Sequence, residues 1–404
     1  MNTGWNLVQL GELTEPSSPI TYGVIKPGEE GDVLFVRGGD ISDSRILINQ
    51  LRTITKEISE QYSRTLLKGG ELLMCLVGQP GQVAIAPHNL AGANIARQVG
   101  LIRLQKNLNA EFIKYFLQSP DGQQKLGAQT GGSVQQVINL SDLRTIEIPL
   151  PSAAEQQRIV AILDEACEAI SKARANAEQN RQNARALFES YLQSVFSQRG
   201  DGWVNKPLSE LCDIKHGFAF KSEYFTNEGD YTLLTPGNFF ETGGYRDRGD
   251  KQKFYSGDIP QGFLLEAGDL LVAMTEQAAG LLGSPIIVPS QGKFLHNQRL
   301  GLVSGKPGIP WLNEFFFHVF NTQAVRQAIH ESASGAKVRH TSPTKIGAVT
   351  VAFPASIEEQ KAIVATLDTL TIETQRLESL YQRKIAALDE LKQSLLQQAF
   401  SGHL

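Results

Sequence analysis

Three pairs of short polar segments carry the side chains of this sequence that are best suited to bind flat heterocyclic ligands. Each segment contains a glycine and amide, aromatic or basic side chains, and each has a counterpart in the other half of the chain. Glutamine can bond to an adenine edge through two hydrogen bonds, and arginine or lysine can bond to guanine. The candidate binding residues are Tyr22, Lys26, Arg97, Gln98, Gln135 and Gln136 in the first half, and His216, Lys221, Gln298, Arg299, Lys337, Arg339 and His340 in the second.

Any one of these segments is also compatible with an ordinary turn beside a strand. Their recurrence is more informative, because the same three positions in each half carry different polar side chains. A shared backbone with different side chains is typical of two binding modules that distinguish different targets. The pattern therefore predicts two related DNA-contacting surfaces.

No catalytic or metal-binding motif accompanies these segments. The sequence lacks GxSxG, HExxH and GxGxxG, and Pro307 follows Gly305-Lys306 where a phosphate-binding loop needs Ser or Thr. The 7 histidines lack ligand spacing, and the chain has no Pro-Pro dipeptide of the kind that holds the target base in amino-methyltransferases. We expect a non-catalytic chain that has neither a metal site nor a cofactor of its own.

Composition predicts an ordinary globular protein. The 404 residues are 41% hydrophobic and 20% charged, enough for two or more hydrophobic cores. The net charge of −4 excludes a generally basic nucleic-acid binder, so positive charge must be local or come from another subunit. Three scattered cysteines and the lack of a long apolar stretch or a signal sequence favour a cytoplasmic protein without membrane contact.

An internal repeat organises the chain. Gly39 and Gly237, and likewise Gly70 and Gly268, lie in similar segments 198 positions apart, and GWNLVQLGEL resembles GWVNKPLSEL at the same offset. The offset grows to 204 toward the second of two similar helical segments, as small loop insertions would produce. The repeat predicts globular domains over residues 1–151 and 201–354, with long helices over residues 152–200 and 355–404.

The two helical segments have defined starts and unusual length. Ser152 with Glu155, and Ser356 with Glu359, have the S-x-x-E spacing of a capping box. No Pro or Gly follows until Gly200 or Gly402, so each helix can extend over about 60 Å at 1.5 Å per residue.

Apolar residues in both helices recur in steps of four and three, the spacing of a coiled-coil seam. The first seam is rich in alanine and the second in leucine, so the two helices are expected to pack on each other. We predict an antiparallel pair related by a pseudo-twofold axis, with Asn180 and Lys384 fixing its register. The principal seam residues are Ile159, Leu163, Ile170, Leu187, Ile363, Leu367, Leu377 and Leu388.

The globular halves contain short apolar runs bounded by turn residues, such as DVLFVRG and ELLMCLVG, together with helical patterns such as LNAEFIKYFLQS. The predicted fold class is α+β, with two mixed α/β globular domains joined by two long antiparallel coiled-coil helices and an internal pseudo-twofold repeat.

The segments IEIPLPSAAEQQRIVAILD and VTVAFPASIEEQKAIVATLD occur once after each variable region. With the order of the domains and helices, they resemble the specificity subunit of type I restriction-modification systems, and the resemblance extends across nearly the whole chain. The resemblance implies two target-recognition domains, each binding one half of a split asymmetric double-stranded DNA sequence, with the helices setting the gap. It also implies two modification (methyltransferase) subunits that bring S-adenosylmethionine, and restriction (motor-nuclease) subunits that bring ATP and Mg²⁺. It does not identify base contacts, because recognition domains differ between members.

Two other functions remain open from the residues. A non-enzymatic coiled-coil adaptor would explain the helices but not the paired polar loops. A recognition module of a fused methyltransferase system would require catalytic motifs that this chain lacks. Retention of a specific DNA sequence, lost on removal of the loops around Gln135 and Arg339, would distinguish the specificity subunit from the adaptor.

Overall fold

The computed structural model describes residues 4–128, 130–131, 137–200, 202–276, 280–335 and 338–404. Its contacts divide the chain into two compact units: unit 1 is Met1–Gln179 with Gln382–Leu404, and unit 2 is Asn180–Tyr381. Each unit therefore combines a globular part with a segment from each of the two long helices.

Unit 1 has a mixed α/β globular part. Its helices are α1 (Lys56–Gln61), α2 (Ala110–Gln118), α3 (Pro120–Ala128), α4 (Leu140–Arg144) and the first part of the long helix α5 (Ala153–Gln198). Its strands are β1 (Asn6–Gln9), β2 (Thr21–Tyr22), β3 (Val33–Val36), β4 (Ile41–Ser42), β5 (Arg45–Ile46), β6 (Arg52–Ile54), β7 (Leu72–Cys75), β8 (Val83–Ile85), β9 (Asn94–Ile95), β10 (Val99–Ile102), β11 (Thr130–Gly131), β12 (Val137–Ile138) and β13 (Glu147–Leu150).

Unit 2 has the same kind of globular part. Its helices are α6 (Leu208–Leu211), α7 (Asn313–Asn321), α8 (Gln323–Ser332), α9 (Pro343–Gly347) and the first part of the second long helix, α10 (Ile357–Ser401). Its strands are β14 (Trp203–Pro207), β15 (Cys212–His216), β16 (Phe225–Thr226), β17 (Tyr231–Leu233), β18 (Phe254–Tyr255), β19 (Leu264–Leu265), β20 (Leu270–Ala273), β21 (Thr275–Glu276), β22 (Pro285–Ile287), β23 (Lys293–Leu295), β24 (Leu300–Gly305), β25 (Arg339–His340) and β26 (Thr350–Pro354).

The two units repeat one sheet topology. The central antiparallel sheet of unit 1 has the order β2-β10-β7-β8, and that of unit 2 has the equivalent order β15-β24-β20-β22. In each unit a second sheet contains one parallel pair, β3 with β9 or β17 with β23. The first strand pairs with the strand before the long helix, β1 with β13 and β14 with β26. The predicted α+β class and internal repeat are confirmed.

Both long helices contribute to the core of unit 1. The hydrophobic core around Phe112 and Phe116 of α2 includes Leu163 of α5, and Leu396 and Phe400 of α10. The Phe400 ring packs edge-on against Phe112 and Phe116, with ring centroids 5.2 and 5.3 Å apart. The last residues of α10 thus complete a core whose other members lie more than two hundred positions earlier in the sequence.

Unit 2 uses the two helices in the same way. Phe196 near the end of α5 packs against Phe315 of α7 at 5.5 Å and against Trp203 at 5.8 Å between ring centroids. Val364, near the start of α10, is buried in the same core. Phe196 and Phe400 occupy equivalent positions in the repeat, since they are 400 − 196 = 204 residues apart.

Only part of each predicted capping box forms. The hydroxyls of Ser152 and Ser356 accept hydrogen bonds from the backbone N–H groups three residues later, at 3.3 and 3.4 Å. The carboxylate of Glu155 instead bonds to Arg158 at 2.8 Å, and Glu359 accepts from the Trp203 indole at 2.9 Å. The second bond joins the start of α10 to the first strand of unit 2.

Within each unit the two helix segments run antiparallel. In unit 1 Arg174 contacts Asp389 at 3.0 Å, and in unit 2 Arg185 contacts Glu378 at 2.7 Å. These exposed ion pairs contribute about 0–1 kcal/mol each, so they help to fix the register more than the stability of the pair.

The buried stripe of the helices departs from a strict heptad repeat in the second half of each helix. Ile159, Leu163, Ile170 and Leu367 are fully or nearly buried, and Ile363, Leu377 and Leu388 are half-buried. Leu187, however, is 52% exposed.

Phe188 and Leu192 follow Ala184 in the stripe, instead of Leu187 and Tyr191. In α10, Ile385 is buried where the heptad repeat placed Lys384. Asn180 and Lys384 are exposed, so neither fixes the register from inside the seam. The heptad spacing of 3.5 residues per turn drifts against the 3.6 of a straight helix, and an extra step of four corrects the difference.

We predict that Phe400→Ala destabilises unit 1 by about 3–5 kcal/mol, because it removes a buried aromatic ring and leaves a cavity beside Phe112 and Phe116. Hydrogen exchange of peptides from α2 under increasing denaturant measures this loss. Leu391→Ala, at a residue of α10 that is 47% exposed, is the matched control and should change stability by about 0.5 kcal/mol or less. Equal effects of the two substitutions would contradict the role assigned to Phe400.

Candidate nucleic-acid interface

In unit 1 a chain of backbone hydrogen bonds brings the predicted loop segments together. The N–H of Arg97 donates to Val24 O at 2.9 Å, and Leu76 N–H donates to Gln98 O at 2.7 Å. Ile138 N–H then donates to Leu76 O at 2.9 Å. We define the first loop surface as the described residues that these bonds collect, namely Tyr22, Lys26, Arg97, Gln98 and Val137.

Unit 2 contains the same hydrogen-bond chain. Gln298 N–H donates to Phe218 O, Met274 N–H donates to Arg299 O, and Thr341 N–H donates to Met274 O, each at 2.9 Å. The isolated bridges agree, since Val24 pairs with Ala96 and Phe218 pairs with Asn297, both in the parallel sense. The second loop surface is accordingly His216, Lys221, Gln298, Arg299 and His340.

One glycine in each unit permits the close packing that this frame requires. A Cβ atom on Gly23 would lie 1.8 Å from Ile95 O, and one on Gly217 would lie 2.0 Å from Asn297 O. Either contact is far shorter than real Cβ contacts, so only glycine fits where the two backbones approach. These residues are the centres of the TYGVIK and KHGFAFK segments.

The polar side chains on both surfaces are accessible to solvent, whereas Val137 is half-buried. Tyr22 is 40% exposed, and Lys26, Arg97 and Gln98 are exposed. In unit 2, His216, Gln298, Arg299 and His340 are exposed. Lys221 is exposed as well and lies 3.7 Å from the Glu223 carboxylate. The two surfaces thus present amide, aromatic and cationic groups to solvent.

Four predicted residues stand apart. Gln135, Gln136 and Lys337 lie outside the described residues. Arg339 is half-buried, and its guanidinium bonds to its own domain: Nη2 donates to the His330 carbonyl at 2.8 Å, and Nη1 lies 3.0 Å from His330 Nε2. Arg339 is therefore not a free base-contacting group in this structure.

Unit 2 also contains a basic segment that the sequence did not predict as part of the site. Residues 245–253 contain Arg246, Arg248, Lys251 and Lys253. Arg246 stacks over the exposed Phe240 ring at 4.5 Å, and the Arg248 guanidinium packs against Gly237. The run YRDRGDKQK contains four basic residues, but its two aspartates lower the net charge, so the segment does not stand out as basic in the sequence.

A buried histidine supports the Gln298–Arg299 turn. His296 is fully buried, and its Nε2 lies 2.9 Å from Leu300 O, which also accepts from Gly217 N–H at 3.2 Å. Burial lowers the pKa of His296 to about 4. The neutral ring thereby fixes both sides of the turn.

A second buried histidine lies on the helix side of unit 2. His318 of α7 packs near Phe188, with 6.5 Å between ring centroids, and its Nε2 is 3.9 Å from Asp368. Burial lowers its pKa to about 4 as well. Both histidines are therefore neutral in the folded unit at neutral pH.

No group of three or more His, Cys, Asp or Glu residues in the described part of the chain is arranged to hold a metal ion. Among those same residues, no helix combines the length and apolarity needed to cross a bilayer.

The fold and the paired loop surfaces define a class of protein in which two loop-bearing domains are each built on segments of the same two helices. A family model described as "Type I restriction modification DNA specificity domain" matches residues 2–179 and 200–385. This chain therefore belongs to the family of type I restriction modification DNA specificity domains.

Relatives of known name agree with this assignment. The type I restriction enzyme EcoBI specificity subunit of Escherichia coli is 30% identical over 197 residues, which are 48% of this chain and 40% of that protein. The StySPI specificity subunit of Salmonella potsdam is 26% identical over 322 residues, or 76% of this chain and 68% of that protein. The match to the E. coli relative thus spans less than half of its length.

A solved structure shows the same fold. It comes from work on complex assembly and conformational transition of the type I R-M system, and it superposes with a TM-score of 0.78 at 21% identity, covering 99% of this chain and 98% of that chain.

We predict that unit 2 loses stability as the pH falls from about 6.5 to 4. The unfolded chain protonates its histidines below pH of about 6.5, whereas His296 and His318 stay neutral when folded until about pH 4. Each of these histidines therefore contributes about 3 kcal/mol to the free energy of unfolding above about pH 6.5. This contribution is lost as the pH falls toward about 4.

Denaturant unfolding followed by hydrogen exchange of α7 peptides at several pH values measures this dependence. His318→Leu should remove about half of it, whereas His216→Leu, at an exposed residue, should leave it unchanged. A pH slope that is the same in wild type and His318→Leu would disprove the assignment.

Proposed function

We propose that this chain is the DNA sequence-specificity subunit of a type I restriction-modification complex, in which unit 1 and unit 2 each bind one half of a split, asymmetric DNA sequence. The observation that carries the proposal is the identical hydrogen-bond chain beneath two loop surfaces whose side chains differ. The shared backbone arrangement lets both units dock on DNA in the same way, and the different side chains change the sequence that each unit binds.

The chain acts without catalysis of its own in this proposal. S-adenosylmethionine for adenine N6 methylation is bound by two modification subunits, and ATP and Mg²⁺ by restriction subunits. The net charge of −4 supports this division, because the attraction to DNA phosphates must be supplied largely by local cations and partner subunits. Because its ligand is chromosomal DNA, we place the protein in the cytoplasm.

Exposed apolar residues on the long helices support docking of the modification subunits there. Leu187 and Ile372 of unit 2 are 52% and 64% exposed, and Leu391 of unit 1 is 47% exposed. Contiguous apolar patches mark protein interfaces, whereas single exposed apolar residues are common, so these three residues are the positions at which docking is to be tested. Leu187, which does not pack in the helix seam, is therefore available to a partner.

The function is tested by expressing the chain with its modification subunit in cells that lack other methyltransferases and by sequencing their methylome. We expect N6-methyladenine in one split sequence with a fixed gap. Methylation without sequence preference, or a continuous unsplit motif, would refute the proposal.

We predict that Arg299→Ala relaxes discrimination at one half of the split sequence, and Arg97→Ala at the other half. A lost arginine–guanine pair costs about 1–3 kcal/mol of discrimination, and the two surfaces belong to separate units. Discrimination is measured as the ratio of the methylation rate on the cognate duplex to the rate on duplexes with single-base changes. Arg52→Ala, at an exposed arginine outside both surfaces, is the control and should affect neither half.

A further prediction concerns the helices. Leu187→Lys should weaken binding of a modification subunit at least tenfold, since it places a charge in an apolar contact. It should leave the free energy of unfolding within about 0.5 kcal/mol of wild type, because Leu187 is already exposed. Isothermal calorimetry measures the affinity. Gln182→Lys, an exposed residue on a different side of the same helix, is the matched control; equal losses for both would disprove a docking contact at Leu187.

A further inference from the structure

A cluster of charged and polar side chains, arranged around one buried carboxylate, adjoins the second loop surface. Its members are Glu276, Arg326, His330 and Arg339, all within unit 2. Glu276 is only 4% exposed, and its backbone lies opposite that of Arg339 in the antiparallel pair of strands β21 and β25. In the same ribbon Thr275 pairs with His340, which belongs to the second loop surface.

The Glu276 carboxylate binds the backbone of Gly280 and Leu282. Its Oε2 accepts hydrogen bonds from the backbone N–H groups of Gly280 at 3.1 Å and Leu282 at 2.9 Å. The Arg326 guanidinium donates to the carbonyl of the same Gly280 and to Glu241 O, the latter at 2.9 Å. The carboxylate and the guanidinium thus hold the N–H and the C=O of one residue, Gly280.

The remaining contacts of the cluster connect strand β25 to helix α8. Arg339 donates to His330 O at 2.8 Å and approaches His330 Nε2 at 3.0 Å, while Glu276 Oε1 lies 3.5 Å from the same nitrogen. The geometry aims Arg339 at α8 and away from solvent.

Unit 1 holds the equivalent place with an uncharged group. Gln123, 203 residues before Arg326, donates to Gly81 O at 3.2 Å, as Arg326 donates to Gly280 O. Val77 stands in place of Thr275 and bridges to Val137, and the residue after it is Gly78 where unit 2 has Glu276. The charged cluster is therefore a feature that unit 2 adds to the shared frame.

We infer that Glu276, Arg326, His330 and Arg339 form a positioning cluster that fixes the β21–β25 ribbon, and that His340 is the specificity-determining residue presented by this ribbon. His340 is exposed, and its Nδ1 lies 3.3 Å from the Thr275 hydroxyl, which leaves Nε2 directed elsewhere. This inference rests on the proposed function, because the ligand of His340 would be a base edge or phosphate in the half-sequence bound by unit 2. Arg339 acts through His340 and makes no contact with DNA.

The test uses the full chain with its modification subunit and methylation of duplexes carrying single-base changes in each half-sequence. Glu276→Gln and Arg339→Gln should each lower discrimination in the half bound by unit 2 about tenfold or more. The double variant should be no worse than either single variant, because both changes disable one cluster. Discrimination in the other half should stay at the wild-type level.

Two results would overturn the cluster's role. If Arg339→Gln relaxes discrimination while Glu276→Gln is silent, Arg339 contacts DNA directly. If both variants only lower the unfolding temperature and leave discrimination unchanged below it, the cluster is merely structural. His340→Ala with unaltered discrimination would likewise refute the assignment of His340.

A measurement on the isolated chain separates failure of this inference from failure of the proposed function. Glu276→Gln should accelerate hydrogen exchange of the Gly280 and Leu282 amides and of β25, and Gln123→Ala should not affect these amides. Unchanged exchange would refute the positioning cluster whatever the chain binds. If exchange is accelerated but even the wild-type complex shows no sequence-specific methylation, the proposed function and the role of His340 are refuted. The positioning cluster that fixes the β21–β25 ribbon would still be supported.

Discussion

The structure depends on burying the two long helices in the cores of the globular parts. Phe400 of α10 packs between Phe112 and Phe116, and Phe196 of α5 packs against Phe315 and Trp203. Aromatic pairs of this kind contribute beyond the area that they bury. Because each unit takes a segment from both helices, a loop surface cannot be separated from the helix pair without opening a core. The orientation of each surface relative to its own helix segments is thereby fixed by packing.

Much of this architecture was predictable from the sequence. The serine caps and the long stretches without Pro or Gly predicted both helices, and the repeated segments predicted two similar α/β parts. The heptad repeat assigned the wrong residues to the seam at Leu187 and Lys384. It assumes 3.5 residues per turn, so the positions that it assigns drift away from the contact face of a straight helix. The insertion of Phe400 into the core of unit 1 was not predictable, since it joins residues almost three hundred positions apart, and no local pattern records such a contact.

The candidate site was predictable at the level of segments and not of side chains. The glycines at 23 and 217 marked the places where backbones meet, and the three loop pairs do converge in each unit. The Arg339 guanidinium is held by His330 of α8, a contact between two separate elements that no local pattern predicts. The aspartates of residues 245–253 lower the net charge of that segment, so its basic residues did not stand out. Local composition gives the exposed candidates, whereas the tertiary partners decide which of them remain free.

The order in which the units can be completed during synthesis follows from the placement of Phe400. Unit 2 is continuous from Asn180 to Tyr381, whereas unit 1 needs Gln382–Leu404. Domains usually fold in the order in which the ribosome makes them, but here the second unit can close first while the first waits with Phe112 and Phe116 partly uncovered. A growing chain therefore cannot complete the core beneath the first loop surface before α10 has left the ribosome, which couples the folding of unit 1 to synthesis of both long helices.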